Sequence, residues 1–181
     1  ETIAAVARVF EPIRYLKDAD GEVIDSAACD ADDAFMALAT FASGAIGQLS
    51  FSFAGHGEAT TPPGPILYGT RGCIKGETVL LDGEAPTTLD DHFARHGGAD
   101  ADRLFPRGMA DPFGLLIGDW LRSIGEGRAA ETSGEEGLRD LAASFAIMEA
   151  SEAGRTVTLN QVLDGTVNGY QRELDEHYGL A

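Results

Sequence analysis

The order of its sequence patterns constrains this chain most, because strand signals fill the first half and helix signals fill the second. Short runs rich in Val, Ile, Leu and Phe alternate with turn residues as far as position 81. From position 111 onward, apolar residues instead recur every three or four positions. Strands followed by helices predict an α+β domain, with an open, mainly antiparallel or mixed β-sheet and helices packed on one face.

The predicted strands are short and separated by Gly, Pro, Asp and Ser. They cover residues 3–10, 22–26, 33–41, 45–53, 66–69, 73–75 and 78–81, with a closing strand at 156–159. We expect a sheet of at least five strands. The stretch 84–110 shows little periodicity and predicts an excursion over the surface.

The strand at 45–53 has the clearest alternation in the sequence. Its apolar and polar side chains point to opposite faces, which are Leu49, Phe51 and Phe53 against Gln48, Ser50 and Ser52. We expect the apolar face to pack on a core and the polar face to stay open. The open face is then available to a ligand, a partner subunit or another domain.

Two amphipathic helices are predicted in the second half. The first begins at Asp111, a favourable N-cap that is followed by a proline at the first helical position. The second begins at Ser133 and ends at Gly154, where a C-terminal cap belongs. Each helix carries one predicted apolar stripe, made by Phe113, Leu116, Ile117, Trp120, Leu121 and Ile124 in the first and by Leu138, Leu141, Phe145 and Met148 in the second.

The charge of the chain excludes some classes of partner. Thirty Asp and Glu face 13 Lys and Arg, which gives a formal net charge of -17. Such a surface repels phosphate backbones and anionic membranes, so we expect no nucleic-acid partner and no membrane partner. Two cysteines are too few for a secreted disulfide framework, which favours a cytoplasmic location. The length of 181 residues fits a single domain, residues 1–181.

Three local patterns resemble metal or nucleotide sites, and each has a plainer interpretation. The acidic turn at 18–22 lacks the glutamate that a calcium loop needs, because Cys29 occupies that position. His92 and His96 would share a helix face and a zinc ion, or they are solvated surface histidines without a third ligand. The glycines at 69, 72 and 76 do not have dinucleotide-loop spacing. We therefore predict neither a metal site nor a cofactor site in this chain.

Outside these patterns, His56 is the residue best suited to bind a ligand or take part in a reaction. It follows the half-polar strand directly and has a glycine on each side, which allows a ligand to approach closely. A neutral imidazole can hydrogen-bond sugar hydroxyls or transfer protons. The alternative is an exposed loop histidine with no such role.

Three blocks of the chain resemble the C-terminal domain of the Gfo/Idh/MocA oxidoreductases, which are named for glucose–fructose oxidoreductase and inositol dehydrogenase. The blocks are residues 32–47 with a Ser-Gly-Ala turn, residues 67–72 with a Gly-Thr-Arg-Gly connection, and residues 136–157 with Glu-Ala-Ser before Gly-Arg-Thr-Val. The family more often carries Glu-Ser-Ala at the third block. The order and spacing of the blocks make the resemblance specific across nearly the whole chain.

The resemblance implies a substrate and oligomerisation domain of a longer enzyme whose N-terminal Rossmann domain binds NAD or NADP. It implies hydride transfer between that cofactor and a sugar, a polyol or a related cyclic carbinol, and a homo-oligomer formed through the open sheet. The family's Glu-Lys-Pro motif and its Asp/His pattern are not present in this sequence. We therefore assign no catalytic residue here, and we expect this fragment to be inactive by itself.

Within this interpretation, the expected substrate contacts come from two places. Gln48, Ser50 and Ser52 line the open face with His56 at its rim, and the segment 103–108 covers the same opening. There Arg107 would pair with an acidic group of the substrate, while Phe105 would pack against a sugar ring. Alternatively, the segment is an ordinary surface loop, and the chain is a non-catalytic open-sheet binding or dimerisation module.

Overall fold

The computed structural model describes residues 1–54, 64–98 and 100–180. The chain divides into two compact units. Unit 1 comprises Glu1–His56 and Ser133–Ala181, and unit 2 comprises Gly57–Thr132. The described strands pair antiparallel throughout, and helices pack against a sheet, so the predicted α+β class with an open antiparallel sheet is confirmed.

Unit 1 contains a four-stranded sheet and a two-stranded hairpin. The strands of the sheet lie in the order β10-β1-β4-β5, with β1 at Thr2–Arg8, β4 at Ala34–Thr40, β5 at Ile46–Ser52 and β10 at Val157–Thr158. The hairpin pairs β2, Ile13–Lys17, with β3, Val23–Ala28. The prediction of five or more strands in one sheet is wrong for the described residues, because β2 and β3 pair only with each other instead of extending the larger sheet.

The acidic turn between β2 and β3 is a hairpin turn. One carboxylate oxygen of Asp18 accepts hydrogen bonds from the backbone N–H groups of Asp20 and Glu22. Gly21 adopts a φ of 86°, which only glycine reaches without steric cost. The turn is therefore stabilised by hydrogen bonds between its own residues.

The helices of unit 1 follow the capping signals of the sequence. Helix α4, Gly134–Ala153, begins where the Ser133 side chain accepts a hydrogen bond from the backbone N–H of Glu136. It ends at Gly154, which takes the left-handed conformation. Helix α5, Leu159–Leu163, has a complete capping box, and helix α6, Arg172–Tyr178, follows.

Helix α4 packs on β1 through small residues, so the predicted apolar stripe is wrong at Leu138 and Leu141, whereas Phe145 and Met148 are half-buried. Its buried residues are Ala142, Ala146, Ile147, Glu149 and Ala150, whereas Leu138 and Leu141 remain 59% exposed. Alanines bring the helix backbone close to strands that themselves bury Ala7, Ala37 and Ala39. A leucine stripe would hold the helix further from these strands, so the small residues decide which face is buried.

Unit 2 contains a second four-stranded sheet in the order β6-β7-β8-β9. Its strands are β6 Ile66–Gly69, β7 Gly72–Lys75, β8 Thr78–Leu81 and β9 Thr87–Thr88. Gly72 cannot be replaced by a residue with a side chain, because an added Cβ would overlap with the backbone carbonyl of Leu80. This close approach explains the glycine that ends the predicted Gly-Thr-Arg-Gly connection.

The stretch 84–110 is more regular than the sequence analysis predicted. It contains β9, helix α1 at Leu89–His96, the single turn α2 at Ala101–Leu104 and a 3-10 turn at Pro106–Gly108. The Thr88 side chain caps α1 by accepting from the backbone N–H of Asp91. The predicted first long helix is α3, Pro112–Glu126, with Asp111 as its N-cap and left-handed Gly127 at its end.

No helix of the described residues is long and apolar enough to cross a lipid bilayer.

Candidate functional site

The open face of the unit 1 sheet is the candidate binding surface. The face toward α4 carries Ile3 and Ala5 of β1, which pack against buried Ala146 and Ala150. Side chains alternate along each strand, so the neighbouring positions of β1, β4 and β5 point to the opposite face. In the described part of unit 1, no helix other than α4 makes extensive contact with β1, β4 or β5, which leaves the second face open.

Strand β5 supplies a polar row to this open face. The register pairs Leu38 with Gln48, Met36 with Ser50, and Ala34 with Ser52. Gln48, Ser50 and Ser52 are all exposed. The structure thus places these three predicted residues on one face, where an amide and two hydroxyl groups can hydrogen-bond a polyhydroxylated ligand.

Beside the polar row lies an apolar patch that the sequence analysis missed. Met36 and Leu38 of β4 are 71% and 61% exposed, and Val6 of β1 is 58% exposed. All four residues 36–39 are apolar, so the sequence does not show which pair is exposed, and the patch follows only from the register of β4 with its neighbours. The open face therefore combines a polar row with an apolar patch, which suits a surface that contacts both a ligand and a protein.

The apolar side of β5 does not form the expected core. Phe51 contacts Phe35 with ring centroids 6.1 Å apart, and it contacts Phe53 edge-on at 4.6 Å. Phe53 is nevertheless 76% exposed, and Leu49 and Phe51 are also exposed. The reason is that α4 lies over β1, two strands away, so the helix does not cover β5.

Phe105 and Arg107 lie in unit 2, on the segment predicted as a cover. Phe105 is half-buried, and its ring packs edge-on against Phe93 of α1 at a centroid distance of 5.4 Å. Arg107 is exposed and takes a left-handed backbone conformation with φ 60° and ψ 27°. Such a conformation is uncommon outside glycine and costs about 1–2 kcal/mol. Within the described residues, Arg107 forms no ion pair, so its guanidinium is available to an anionic group.

His56 lies outside the described residues, as do its neighbours at 55–63. The structure therefore brings together three of the six predicted contact residues in unit 1 and places two others on one segment of unit 2. The role of all six in substrate binding stays a prediction.

An ion-pair network lines a cleft of unit 2 with a volume of about 730 Å³. Asp119 accepts hydrogen bonds from Arg128 Nη2 at 2.6 Å and from the backbone N–H of Glu131 at 2.8 Å. Arg128 also bonds Glu126 at 2.7 Å. The guanidinium of Arg128 and the Glu131 N–H lower the pKa of Asp119, and the two carboxylates raise the pKa of Arg128. These ion pairs and hydrogen bonds tie the end of α3 to the loop after it.

A second, shallower groove of about 410 Å³ lies on the unit 2 sheet beside α1. It is lined mainly by apolar residues of β6, β7 and β8, with His92 of α1 at its border. His92 and His96 share one helix face, with ring centroids 4.6 Å apart. In the described ranges, no group of three or more His, Cys, Asp or Glu side chains is placed to hold a metal ion.

Comparison with known proteins identifies related domains. The model of a family described as "Oxidoreductase family, C-terminal alpha/beta domain", Gfo/Idh/MocA, matches residues 6–159. A comparison with curated proteins gives no match.

Two solved structures share the fold at low sequence identity. One is a levoglucosan dehydrogenase in complex with NADH and L-sorbose, with a TM-score of 0.59, 22% identity, and coverage of 89% of this chain and 46% of that one. The other is an oxidoreductase from Agrobacterium radiobacter in complex with NAD+, L-tartaric acid and magnesium, with a TM-score of 0.54, 20% identity, and coverage of 88% and 43%. The chain thus spans less than half the length of either protein.

Proposed function

Because this chain belongs to the Gfo/Idh/MocA oxidoreductase family as a C-terminal α/β domain, we propose that it is the substrate-binding and oligomerisation domain of a hydride-transferring enzyme. That enzyme moves a hydride between NAD or NADP and a sugar, a polyol or a related cyclic carbinol. The match of the family model carries the proposal. The sugar-bound and acid-bound structures with the same fold support it.

In this proposal, an N-terminal Rossmann domain of the same polypeptide binds the cofactor, and the cofactor accepts or supplies the hydride. Residues 1–181 act as one functional domain that provides no catalytic residue and binds no nicotinamide. Its contribution is to position and orient the substrate. We place the enzyme in the cytoplasm, as a chain with only two cysteines favours.

The polar row of β5 is the proposed substrate contact in unit 1. Ser50 and Ser52 present hydroxyl groups, and Gln48 presents an amide that both donates and accepts hydrogen bonds. Sugar and polyol hydroxyls need partners of this kind because each hydroxyl both donates and accepts. His56, Phe105 and Arg107 complete the proposed set, with the Arg107 guanidinium suited to a carboxylate on the substrate.

Kinetics of the complete enzyme test the substrate role. Gln48→Ala and Arg107→Ala should each lower kcat/KM by roughly 5- to 150-fold for a lost positioning contact. Thr40→Ala offers a matched control, because Thr40 lies on the same sheet face but bonds the Thr2 hydroxyl at 2.6 Å. Unchanged kcat/KM in both test variants, with folding intact, would contradict the proposed contacts.

The cofactor assignment is tested with the domain alone. Calorimetric titration of residues 1–181 with NADH and NADPH should show no binding, and no polyol oxidation should be detected. Micromolar binding of either nucleotide would contradict the proposal that the Rossmann domain, and not residues 1–181, binds the cofactor. Absence of any sugar or polyol activity in the complete protein would instead favour a non-catalytic binding or dimerisation module.

The apolar patch is the proposed contact with a second copy of the chain. Val6, Met36 and Leu38 form a contiguous exposed surface next to the polar row. A net charge of -17 opposes association, so the dimer should form at moderate salt, where the repulsion is screened. Leu38→Glu should convert the species seen by light scattering to a monomer, and a monomer in the unsubstituted protein at high concentration would contradict the proposal.

A further inference from the structure

The hairpin of β2 and β3 forms a separate arm of unit 1, which we define as residues 13–28. Its two strands bond each other and form no ladder with the four-stranded sheet. Every β3 side chain is exposed, and so is every β2 side chain except that of Arg14. A lone two-stranded hairpin is marginally stable in water. The position of the arm must therefore be set by contacts at its base.

Asp33 lies at that base, directly before β4, and is only 4% exposed. Its Oδ1 accepts a hydrogen bond from the backbone N–H of Phe10 at 2.8 Å. Its Oδ2 accepts from the backbone N–H of Glu11 at 2.9 Å and from Arg14 Nη2 at 2.9 Å. Phe10 and Glu11 connect β1 to the arm, and Arg14 belongs to the arm itself. One buried carboxylate thus binds both the connection and the first strand of the arm.

The backbone of Asp33 joins the same residue to the sheet. Its N–H donates to the carbonyl of Arg8 at the end of β1, and its carbonyl accepts from the N–H of Phe53 just after β5. The ends of β1 and β5 therefore hold Asp33 in place while its side chain holds the arm. Burial makes each hydrogen bond to the Asp33 carboxylate costly to lose, because the bond is charge-assisted and water does not replace it freely.

We propose that the Asp33 carboxylate is the joint of the arm. It fixes the position of residues 9–28, and its loss releases the arm as a unit while the four-stranded sheet stays folded. The sheet does not depend on the side chain, since the β1–β4 and β4–β5 ladders run over seven residue pairs each. The arm does depend on it, because β2 and β3 make no extensive contact with any other described helix or strand.

Asp33→Asn is the direct test because it keeps the shape and removes the charge. An asparagine offers one carbonyl oxygen and one donating NH2 group, so at least one of the three donors loses its acceptor. Amide hydrogen exchange of the complete protein, followed by mass spectrometry, should accelerate in residues 9–28 by about tenfold or more. Exchange in β4 should change by less than about twofold.

Asp30→Asn is the matched control, since Asp30 is an exposed carboxylate three residues away and the charge change is the same. It should leave exchange in residues 9–28 unaltered. Unaltered exchange in Asp33→Asn would overturn the proposal. Equal acceleration in β4 and in residues 9–28 would also overturn it, because the carboxylate would then support the whole fold.

A substitution of Arg14 tests the ion pair with Asp33 separately from the two backbone hydrogen bonds to the same carboxylate. It is also the alternative test if Asp33→Asn fails to fold. Arg14→Gln removes the ion pairs with Asp33 and Glu11 but keeps both backbone N–H bonds to the Asp33 carboxylate. Exchange should accelerate in residues 13–28 and stay slow in residues 9–12, with partial recovery in Arg14→Lys. Slow exchange throughout 13–28 in Arg14→Gln would show that the joint does not hold the arm and would overturn the proposal.

Discussion

The two units differ in how they are held together. Unit 1 buries most of the apolar interior of the described chain, which comprises Ala7, Ala37, Ala39, Ala142, Ala146, Ile147, Ala150, Val157, Leu159 and Val167. Unit 2 buries only Val79 and Ser123 among its described residues. Unit 2 relies instead on neighbouring hairpins, helix caps and the ion pairs around Asp119.

This difference follows from the sequence separation of the contacts. In unit 1, β1 lies beside β10 and under α4, so residues more than 130 positions apart share one interior. In unit 2, each strand pairs with its immediate neighbour in sequence. Substitutions of buried residues should therefore lower the free energy of unfolding most in unit 1. In unit 2, the loss of local hydrogen bonds should lower it more than the loss of apolar burial.

The largest effect is expected from Val157→Ala in unit 1. Val157 is fully buried beside Ala146 and Ala150, so removing its methyl groups loses burial and leaves a cavity. The free energy of unfolding should fall by about 2–3 kcal/mol, measured by urea denaturation. Val23→Ala removes the same groups from an exposed strand position and should change it by less than about 0.5 kcal/mol. Equal losses in the two variants would contradict the interior assigned to unit 1.

Ser151→Ala should have the next largest effect. The Ser151 hydroxyl accepts a hydrogen bond from the Ala7 N–H at 2.8 Å and donates to the Ala7 carbonyl at 3.3 Å. Its removal leaves the Ala7 N–H without this partner, while the Ala7 carbonyl still accepts from Arg8 Nη1 at 2.6 Å. The loss should cost about 1–2 kcal/mol in thermal or urea unfolding. Ser144→Ala, in an exposed position of the same helix, supplies the control and should be near neutral.

Removal of a helix N-cap side chain is a change that can be made in both units. Asp111→Ala removes the cap of α3 in unit 2, and Ser133→Ala removes the cap of α4 in unit 1, each at a cost of about 1 kcal/mol. Because the apolar stripe of α3 is exposed and α4 is packed on β1, hydrogen exchange should spread further along α3 than along α4. Equal fraying of both helices would show that tertiary packing does not distinguish them.

The smallest effect is the acid dependence of stability, to which both units contribute. The pKa of Asp33 is lowered mainly by the Phe10 N–H, and the pKa of Asp119 mainly by Arg128. A lowered pKa means that the stabilisation is complete above the ordinary value of 3.8 and is lost as the pH falls through the lowered value. Urea midpoints should therefore hold between about pH 7 and 5 and fall below about pH 4. In Asp33→Asn and Asp119→Asn the midpoints should start lower and fall less steeply.

Local signals in the sequence were sufficient for most elements. Asp111, Ser133 and Gly154 fixed helix ends, and the alternation at 45–53 placed β5 within one residue at each end. These signals depend on neighbouring residues alone, so they can be recognised without knowledge of the fold. Strand β2 was missed because Arg14 and Lys17 interrupt its apolar residues, and α1 was missed because its cap at Thr88 follows a region without periodicity.

The residues that depend on distant partners could not be predicted. The burial of α4 through alanines follows from the small residues of β1 and β4, which no local pattern of the helix reveals. The three donors to Asp33 lie about twenty positions before it. Of the candidate site, the open polar row followed from alternation alone, whereas the apolar patch beside it required the register of β1 and β4.

The Ser151 hydroxyl also determines where the sheet can grow. Strand β10 pairs with β1 only at Thr2 and Ile3, so the rest of that edge would be a template onto which a foreign strand could add. At Ala7 the hydroxyl occupies both backbone groups that such a strand would need. We therefore expect strand addition to be disfavoured at this position of the β1 edge. Among the described residues, no strand pairs with the outer edge of β5, so we expect cross-β growth of an unfolding intermediate to begin on that side.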